Sequence, residues 1–353
     1  MIIAILVVLL SLVILTALHE LGHFLLAKKF DVKVEEFGIG YPPRIIGKKI
    51  GETIYSLNLL PFGAFVKIMG EDGGVDDQRS FAKKTILQRA LILLGGVVMF
   101  WIVAIIILTF LSGIAGVPTA VPDNLDTKAN VQILSIASDS PAQKAGIQVG
   151  DIIMKVGEES VDKVQQVQDF TKIHEQEEIT LFLQRAGEEV NTKLTLRESN
   201  HAQGSIGVSL VRVSNLKTTW YKAPFLASKI TYEQTKAIPV VLYGALRKKI
   251  GGEKVTEVQF VGPIGVGQML GRAVYQSWGS FFMLISMISI WLALFNILPI
   301  PALDGGRLLF LIIEAIRRKP MTQKIEQKIN GFFFLILIVF MVFITARDIF
   351  RLF

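Results

Sequence analysis

The chain has 353 residues, 51% of them hydrophobic, with a formal net charge of +7 and no cysteine. A mean hydropathy of +0.51 is too high for an ordinary soluble protein of this length and predicts a polytopic membrane protein with one soluble insert. The lack of cysteine excludes disulfides, thiolate metal ligands and cysteine nucleophiles, while the basic residues sit beside apolar runs, as in cytoplasmic loops, which argues against nucleic acid as a partner.

Ile2–Leu18 is a run of 17 residues whose only polar members are Ser11 and Thr16. It predicts a first membrane helix over residues 1–27 that carries His19–Glu20–Leu21–Gly22–His23 near its end. Histidines at i and i+4 of a helix lie about 40° apart and one turn apart, so both imidazoles can grip one Zn²⁺. The adjacent Glu20 can reach a water at that ion and take its proton. Two of the chain's four histidines fall here, and such a cluster in an apolar helix is costly to keep without a function. A secretory signal peptide fits the run poorly. No basic segment precedes it, and no small-x-small cleavage site precedes His19.

Residues 28–89 form a polar loop with 11 Lys and Arg, which the positive-inside rule places in the cytoplasm. Within it Thr53–Ile68 is rich in β-formers and broken by Pro61 and Gly63, like a hairpin. That stretch reads equally as a hairpin tucked against the membrane domain or as a small cytoplasmic sheet. Glu71–Arg79 is acidic and glycine-rich and reads as a surface loop, with an acidic spacing that matches no EF-hand. Residues 90–111 carry no charge and predict a second span. Gly95–Gly96 within it either admits a close helix neighbour or is incidental.

Residues 112–219 read as one soluble α+β domain. Val131–Ile136 and Ile152–Val156 read as strands, and Ile179–Gln184 with Val190–Leu196 as a hairpin around Arg185–Ala186–Gly187. Ser140–Asp151 reads as a short capped helix with proline at its start and glycine at its end. This is the pattern of a PDZ domain of the bacterial protease type, which binds peptide ends or extended segments by strand addition. Another small α+β domain is the alternative. Residues 220–280 begin with an amphipathic helix, Trp220–Ile250, expected to lie on the outer membrane face. A glycine-dense turn over Val261–Gly271 follows it. His174 and His201 read as plain surface residues.

The third span, residues 281–304, ends in the stretch NILPIPALDGG at 296–306. Pro299 and Pro301 break the helix and free backbone groups, which membrane depth tolerates only where they are buried or line a wet cavity. A lone carboxylate at Asp304 is expensive there, and a metal would offset that cost. The plain alternative is an interfacial aspartate beside Arg307. Residues 305–328 read as a cytoplasmic loop, 329–346 as a fourth span and 347–353 as a tail. Spans one and three both run inward, so His19, His23 and Asp304 share one leaflet. Two His and one Asp leave a fourth tetrahedral position open, as catalytic zinc sites do. A metzincin would need Gly at position 26 and His at position 29, where this chain has Leu26 and Lys29.

On HELGH at 19–23, NILPIPALDGG at 296–306 and the PDZ pattern between spans two and three, the chain resembles the site-2 protease family of intramembrane zinc metalloproteases. It is most similar to the bacterial RseP-like group, regulators of envelope stress signalling. The hairpin near Phe62–Gly63 and the VGPIG stretch also match, so the resemblance covers nearly the whole chain. It implies one Zn²⁺ held by His19, His23 and Asp304, with Glu20 as general base. It also implies substrate binding by Asn296 and Pro299, and by Phe62 and Gly63 of a membrane-reentrant β-hairpin. The expected fold is a polytopic α-helical membrane protein with four transmembrane helices, an inserted α+β PDZ domain and a membrane-associated β-hairpin. The expected location is the bacterial inner membrane, with both termini and the PDZ domain extracytoplasmic and the active site near the cytoplasmic side. Expected partners are the lipid bilayer, a peptide ligand of the PDZ domain, and single-span membrane proteins already cut by another protease. A trimmed anti-sigma factor and remnant signal peptides are the implied substrates. Members of this group often carry two tandem PDZ domains, whereas residues 112–219 have room for one. Two rival classes differ in their needs: a metal transporter requires neither a base at Glu20 nor a PDZ domain, and a PDZ scaffold requires no metal.

Overall fold

The computed structural model describes residues 2–71, 73, 76–185, 187–198, 204–250, 262–319 and 321–350, so His201 and Val261 lie outside the described residues. Helix α1 (Ile2–Lys29) ends in Lys28 and Lys29, cations at the negative end of its dipole. It feeds two long strands, β1 (Val34–Ile50) and β2 (Thr53–Ile68), joined by a turn at Gly51 with φ +63°. The hairpin expected over 53–68 alone therefore starts at Val34 instead. Its register is double. Residues 36–39 pair with 54–57 on one side and with 64–67 on the other, while 46–50 pair with 53–57. Four extended segments thus lie side by side, with 64–68 at one edge.

The cause lies in residues 58–63, where β2 changes neighbours. Asn58 is buried and donates its amide to the carbonyls of Ile39 and Gly40. Pro61 has no N–H to give a ladder, and Gly63 takes φ +81°.

Thr85 opens α2 (Ile86–Ile114) with a capping box to Gln88, which starts the helix before the apolar run does. An antiparallel β domain follows: β3 (Val117–Ala120), β4 (Asn130–Ile136), α3 (Pro141–Lys144), β5 (Ile152–Val156), β6 (Glu159–Ser160), α4 (Val164–Ile173), β7 (Glu178–Arg185), β8 (Glu188–Thr195) and β9 (Val208–Leu216). The sheet order is β3-β9-β4-β5-β7-β8, with β6 on β5. Every expected strand is present, and β3, β6, β9 and α4 arise where the sequence suggested no element. Alternate residues of three strands, Val131, Ile133, Ile153, Leu181 and Leu183 among them, build its core. Buried Arg212 on β9 donates to the carbonyls of Pro122, Leu125, Thr127 and Asp162, tying the chain after β3 to the sheet.

Beyond this domain run α5 (Ala223–Ile250), α6 (Pro263–Gln276), α7 (Trp278–Ile297), α8 (Asp304–Arg317) and α9 (Gln323–Phe350). Three stretches differ from expectation. The glycine-dense turn at 261–271 is mostly helix α6. Pro263 pre-sets its first turn, and Val266, Leu270 and Ala273 face α1 and α7. The third span stops at Ile297, so Asp304 opens a new helix rather than closing the span. The loop expected at 305–328 is largely that amphipathic helix, α8. Among the described residues, four helical stretches are long and apolar enough to cross a membrane: Ile5–Lys29, Ile86–Ile114, Trp278–Ile297 and Lys324–Phe350. Helix α2 is the hub, packing on α1, α5, α7 and α8. Helix α9 is peripheral, with Phe332, Leu335, Val339 and Phe343 exposed, a surface that suits lipid.

Candidate active site

The site is built on the closeness of α1 and α2. A Cβ on Gly22 would overlap the Gly95 carbonyl, and one on Gly95 would overlap Gly22. These small residues let the two backbones touch. His23 consequently reaches α2, and its Nδ1 lies 2.9 Å from the Ile92 carbonyl oxygen. A carbonyl only accepts, so Nδ1 carries the proton and Nε2 presents a lone pair. The His19 ring stacks on Phe100 with centroids 4.5 Å apart. Both imidazoles fill the space above Gly96, where any Cβ would overlap them.

Asp304 arrives from the far end of the chain. After α7 the chain reverses through Leu298–Leu303, with Leu303 N–H donating to the Ile300 carbonyl. Gly305 and Gly306 sit against the backbone of residues 297–301, too close for a Cβ on either. This is the physical reason for the two glycines after Asp304: α8 must begin directly against the broken end of α7. Asp304 stands in the first turn of α8, where the helix dipole favours a carboxylate.

The three side chains converge although the whole β domain separates them in sequence. Asp304 Oδ2 lies 3.4 Å from His19 Nε2 and 3.4 Å from His23 Nε2. The two Nε2 atoms are 3.3 Å apart. All three residues are largely buried, and Asp304 Oδ2 has no directed hydrogen bond. An orphaned buried carboxylate oxygen facing two imidazole lone pairs calls for a cation. The spacing fits as well. Donors about 2.0–2.1 Å from a tetrahedral zinc lie roughly 3.3–3.4 Å from one another.

Glu20 points to the β1–β2 unit, where its Oε2 accepts from the Val66 N–H at 3.1 Å. A cleft of about 480 Å³ opens here, lined by Glu20, His23 and Asp304, by Tyr41 and Val66 of the strands, and by Asn330 of α9. Arg307 and Glu71, which also line it, form an ion pair between α8 and the loop after β2. Arg89 of α2 pairs with Glu314 and fixes α8 from the other side.

The remaining expected site residues lie elsewhere. Asn296 donates to the carbonyl of Leu292 in its own helix at 2.9 Å. Pro299 is exposed at the break after α7, and Gly63 sits in the partner-switching part of β2. The side chain of Phe62 lies outside the described residues. Asn296, Pro299 and Gly63 are not among the described residues that line the cleft. Conversely, the Ile92 carbonyl, the Val66 N–H and Phe100 were not anticipated. The first two are backbone groups that no motif announces.

The chain is similar to several known proteins. Residues 7–340 match the profile of Peptidase family M50. A chain of Clostridium perfringens named as a zinc metalloprotease is 33% identical over 338 residues, 95% of this chain and 95% of that one. A similarly named chain of Fusobacterium nucleatum is 30% identical over 98% of each. The zinc metalloprotease RasP of Oceanobacillus iheyensis is 25% identical over 96% of this chain and 97% of its own length. The PDZ domain of an SdrC-like protein from Listeria innocua has a likeness confined to 24% of this chain and 92% of that one, at 18% identity and a TM-score of 0.21. With the His-Glu-x-x-His helix, the converging aspartate and four apolar helices already in place, the chain belongs to Peptidase family M50, the site-2 type of membrane zinc metalloprotease.

Proposed function

We propose that the protein hydrolyses a peptide bond within the membrane segment of single-span membrane proteins. In this reading His19, His23 and Asp304 hold one Zn²⁺ and Glu20 is the general base. The carrying observation is the triangle of donor atoms with edges of 3.3–3.4 Å around a buried, unpartnered Asp304 oxygen. When bound, the ion supplies a Lewis acid that polarises the scissile carbonyl and acidifies water. Glu20 takes the proton of the attacking water and delivers it to the leaving amine. The Val66 N–H orients the Glu20 carboxylate for that task.

A helical substrate hides its carbonyls in internal hydrogen bonds, so it must unwind before it is cut. The 64–68 segment is the edge of the β1–β2 unit beside Glu20 and suits strand addition by an extended substrate. Asn296, Pro299, Phe62 and Gly63 would meet the substrate beyond the cleft, along α7 and the strands. The protein would sit in the bacterial inner membrane with both termini outside and the active site near the cytoplasmic face. The β domain, read as one extracytoplasmic PDZ domain, would bar bulky ectodomains. Substrates would then be proteins already trimmed by another protease, an anti-sigma factor or remnant signal peptides.

The test is cleavage of a short-ectodomain single-span substrate in membranes by wild type and by Glu20→Gln. Wild type cuts, and the variant loses at least about a hundredfold in rate while both retain zinc. Equal cutting by both would remove Glu20 from the chemistry. A wild type without zinc would sink the metal assignment.

A further inference from the structure

Asn330 stands in α9, within the apolar stretch Lys324–Phe350. An amide in such a helix is expensive unless it is bonded. Its Oδ1 accepts the backbone N–H of Ala302 at 3.1 Å, across 28 residues of chain. Ala302 is an unusual place to find it. Ala302 follows Pro301 in the turn closed by the Leu303 N–H and the Ile300 carbonyl, and its φ is +79°. The third position of a turn with proline second and φ positive third ordinarily takes glycine. An alanine in the left-handed region is strained and persists only where its surroundings hold it. Two residues later comes Asp304.

We propose that Asn330 is a positioning residue for Asp304, acting through the Ile300–Leu303 turn. The bond from α9 holds Ala302 in its strained conformation, and this aims Asp304 Oδ2 at the two histidines. One metal-ligating side chain is thereby set by a helix that otherwise touches the bundle mainly at α6. This inference rests on the reading of His19, His23 and Asp304 as the zinc site.

The experiment measures zinc loss from the full-length protein to a chelator, alongside cleavage of the model substrate, for four proteins: wild type, Asn330→Leu, Ala302→Gly and the double variant. Asn330→Leu loses zinc at least tenfold faster than wild type and cleaves correspondingly less. Ala302→Gly removes the strain, since glycine takes φ +79° freely, so the double variant regains wild-type zinc retention. A merely structural role for Asn330 in seating α9 would not respond to a change at Ala302, so a double variant that stays defective overturns the proposal. An Asn330→Leu protein that holds zinc like wild type overturns it too and leaves the zinc site standing. A wild type that holds no zinc overturns both together.

Discussion

At the scale of single residues, the proposed metal triad depends as much on missing atoms as on present ones. His19 and His23 occupy the volume that a side chain at position 96 would claim, and Gly22 and Gly95 let the helices come that close. A glycine in a helix interior ordinarily costs about 1 kcal/mol against alanine, so Gly96→Ala would be neutral or stabilising if helix propensity were the only effect. Here the added methyl meets two imidazole rings that are themselves clamped, one by Phe100 and one by the Ile92 carbonyl. The expected outcome is a folded protein with at least tenfold weaker zinc retention and little cleavage. Metal analysis after dialysis, with circular dichroism as the folding control, checks it. A Gly96→Ala protein with full zinc content would show that the imidazoles have room to turn aside.

At the scale of elements, the β1–β2 unit is held to α1 by charge. Glu52, at the turn between the strands, accepts from Arg79 at 2.6 and 2.8 Å and from Lys28 at 2.5 Å. Arg79 first, then Lys28, hold its carboxyl down at about 2, against an ordinary value of 4.5. A carboxyl depressed in the folded state stabilises it fully above the ordinary value and loses that contribution as pH falls through about 2. The group is partly exposed, so solvent screening keeps the effect modest. Hydrogen exchange at residues 50–54 is therefore expected to quicken as pH drops below 4.5, after correction for the intrinsic rate. Glu52→Gln should show the quick rate already at neutral pH, with no further change. A variant that keeps the wild-type pH profile would remove Glu52 as its source. This element also marks the limit of what sequence reveals. His19, Glu20 and His23 are legible because 3.6-residue periodicity fixes their common face, and Asp304 because prolines mark the break before it. The extent of the β1–β2 unit was not legible. Its partner switch depends on buried Asn58 reaching the carbonyls of Ile39 and Gly40, a contact between segments almost twenty residues apart. Helix α8 was hidden for a related reason. Residues 305–328 read as a cytoplasmic loop in sequence, yet two of the charged residues of α8, Arg307 and Glu314, are each spent on a pair with another element.

At the scale of the whole molecule, function turns on sidedness. The residues that build the cleft come from the Lys28 end of α1, the β1–β2 unit, the start of α8 and the Asn330 stretch of α9, and the β domain leaves from the opposite end of α2. The loop after α1 carries the dense positive charge, 11 Lys and Arg from Lys28 to Arg89, and the proposed orientation puts it in the cytoplasm on the positive-inside rule. In that proposed orientation the β domain lies on the other side, because α2 is long and apolar enough to cross once between them. A cysteine-free chain makes this directly measurable. Single substitutions at two exposed positions, Asn191→Cys in the β domain and Gln78→Cys in the loop after β2, place one thiol on each side. In intact cells stripped of any outer barrier, a membrane-impermeant maleimide should label the first and reach the second only after lysis. The reverse pattern would put the β domain inside, where it could no longer screen ectodomains. A size-dependent block would then need another cause. With the expected pattern, enlarging the substrate's outer domain should slow cleavage while enlarging its cytoplasmic tail should not. Only the outer addition meets the β domain before the membrane segment reaches Glu20.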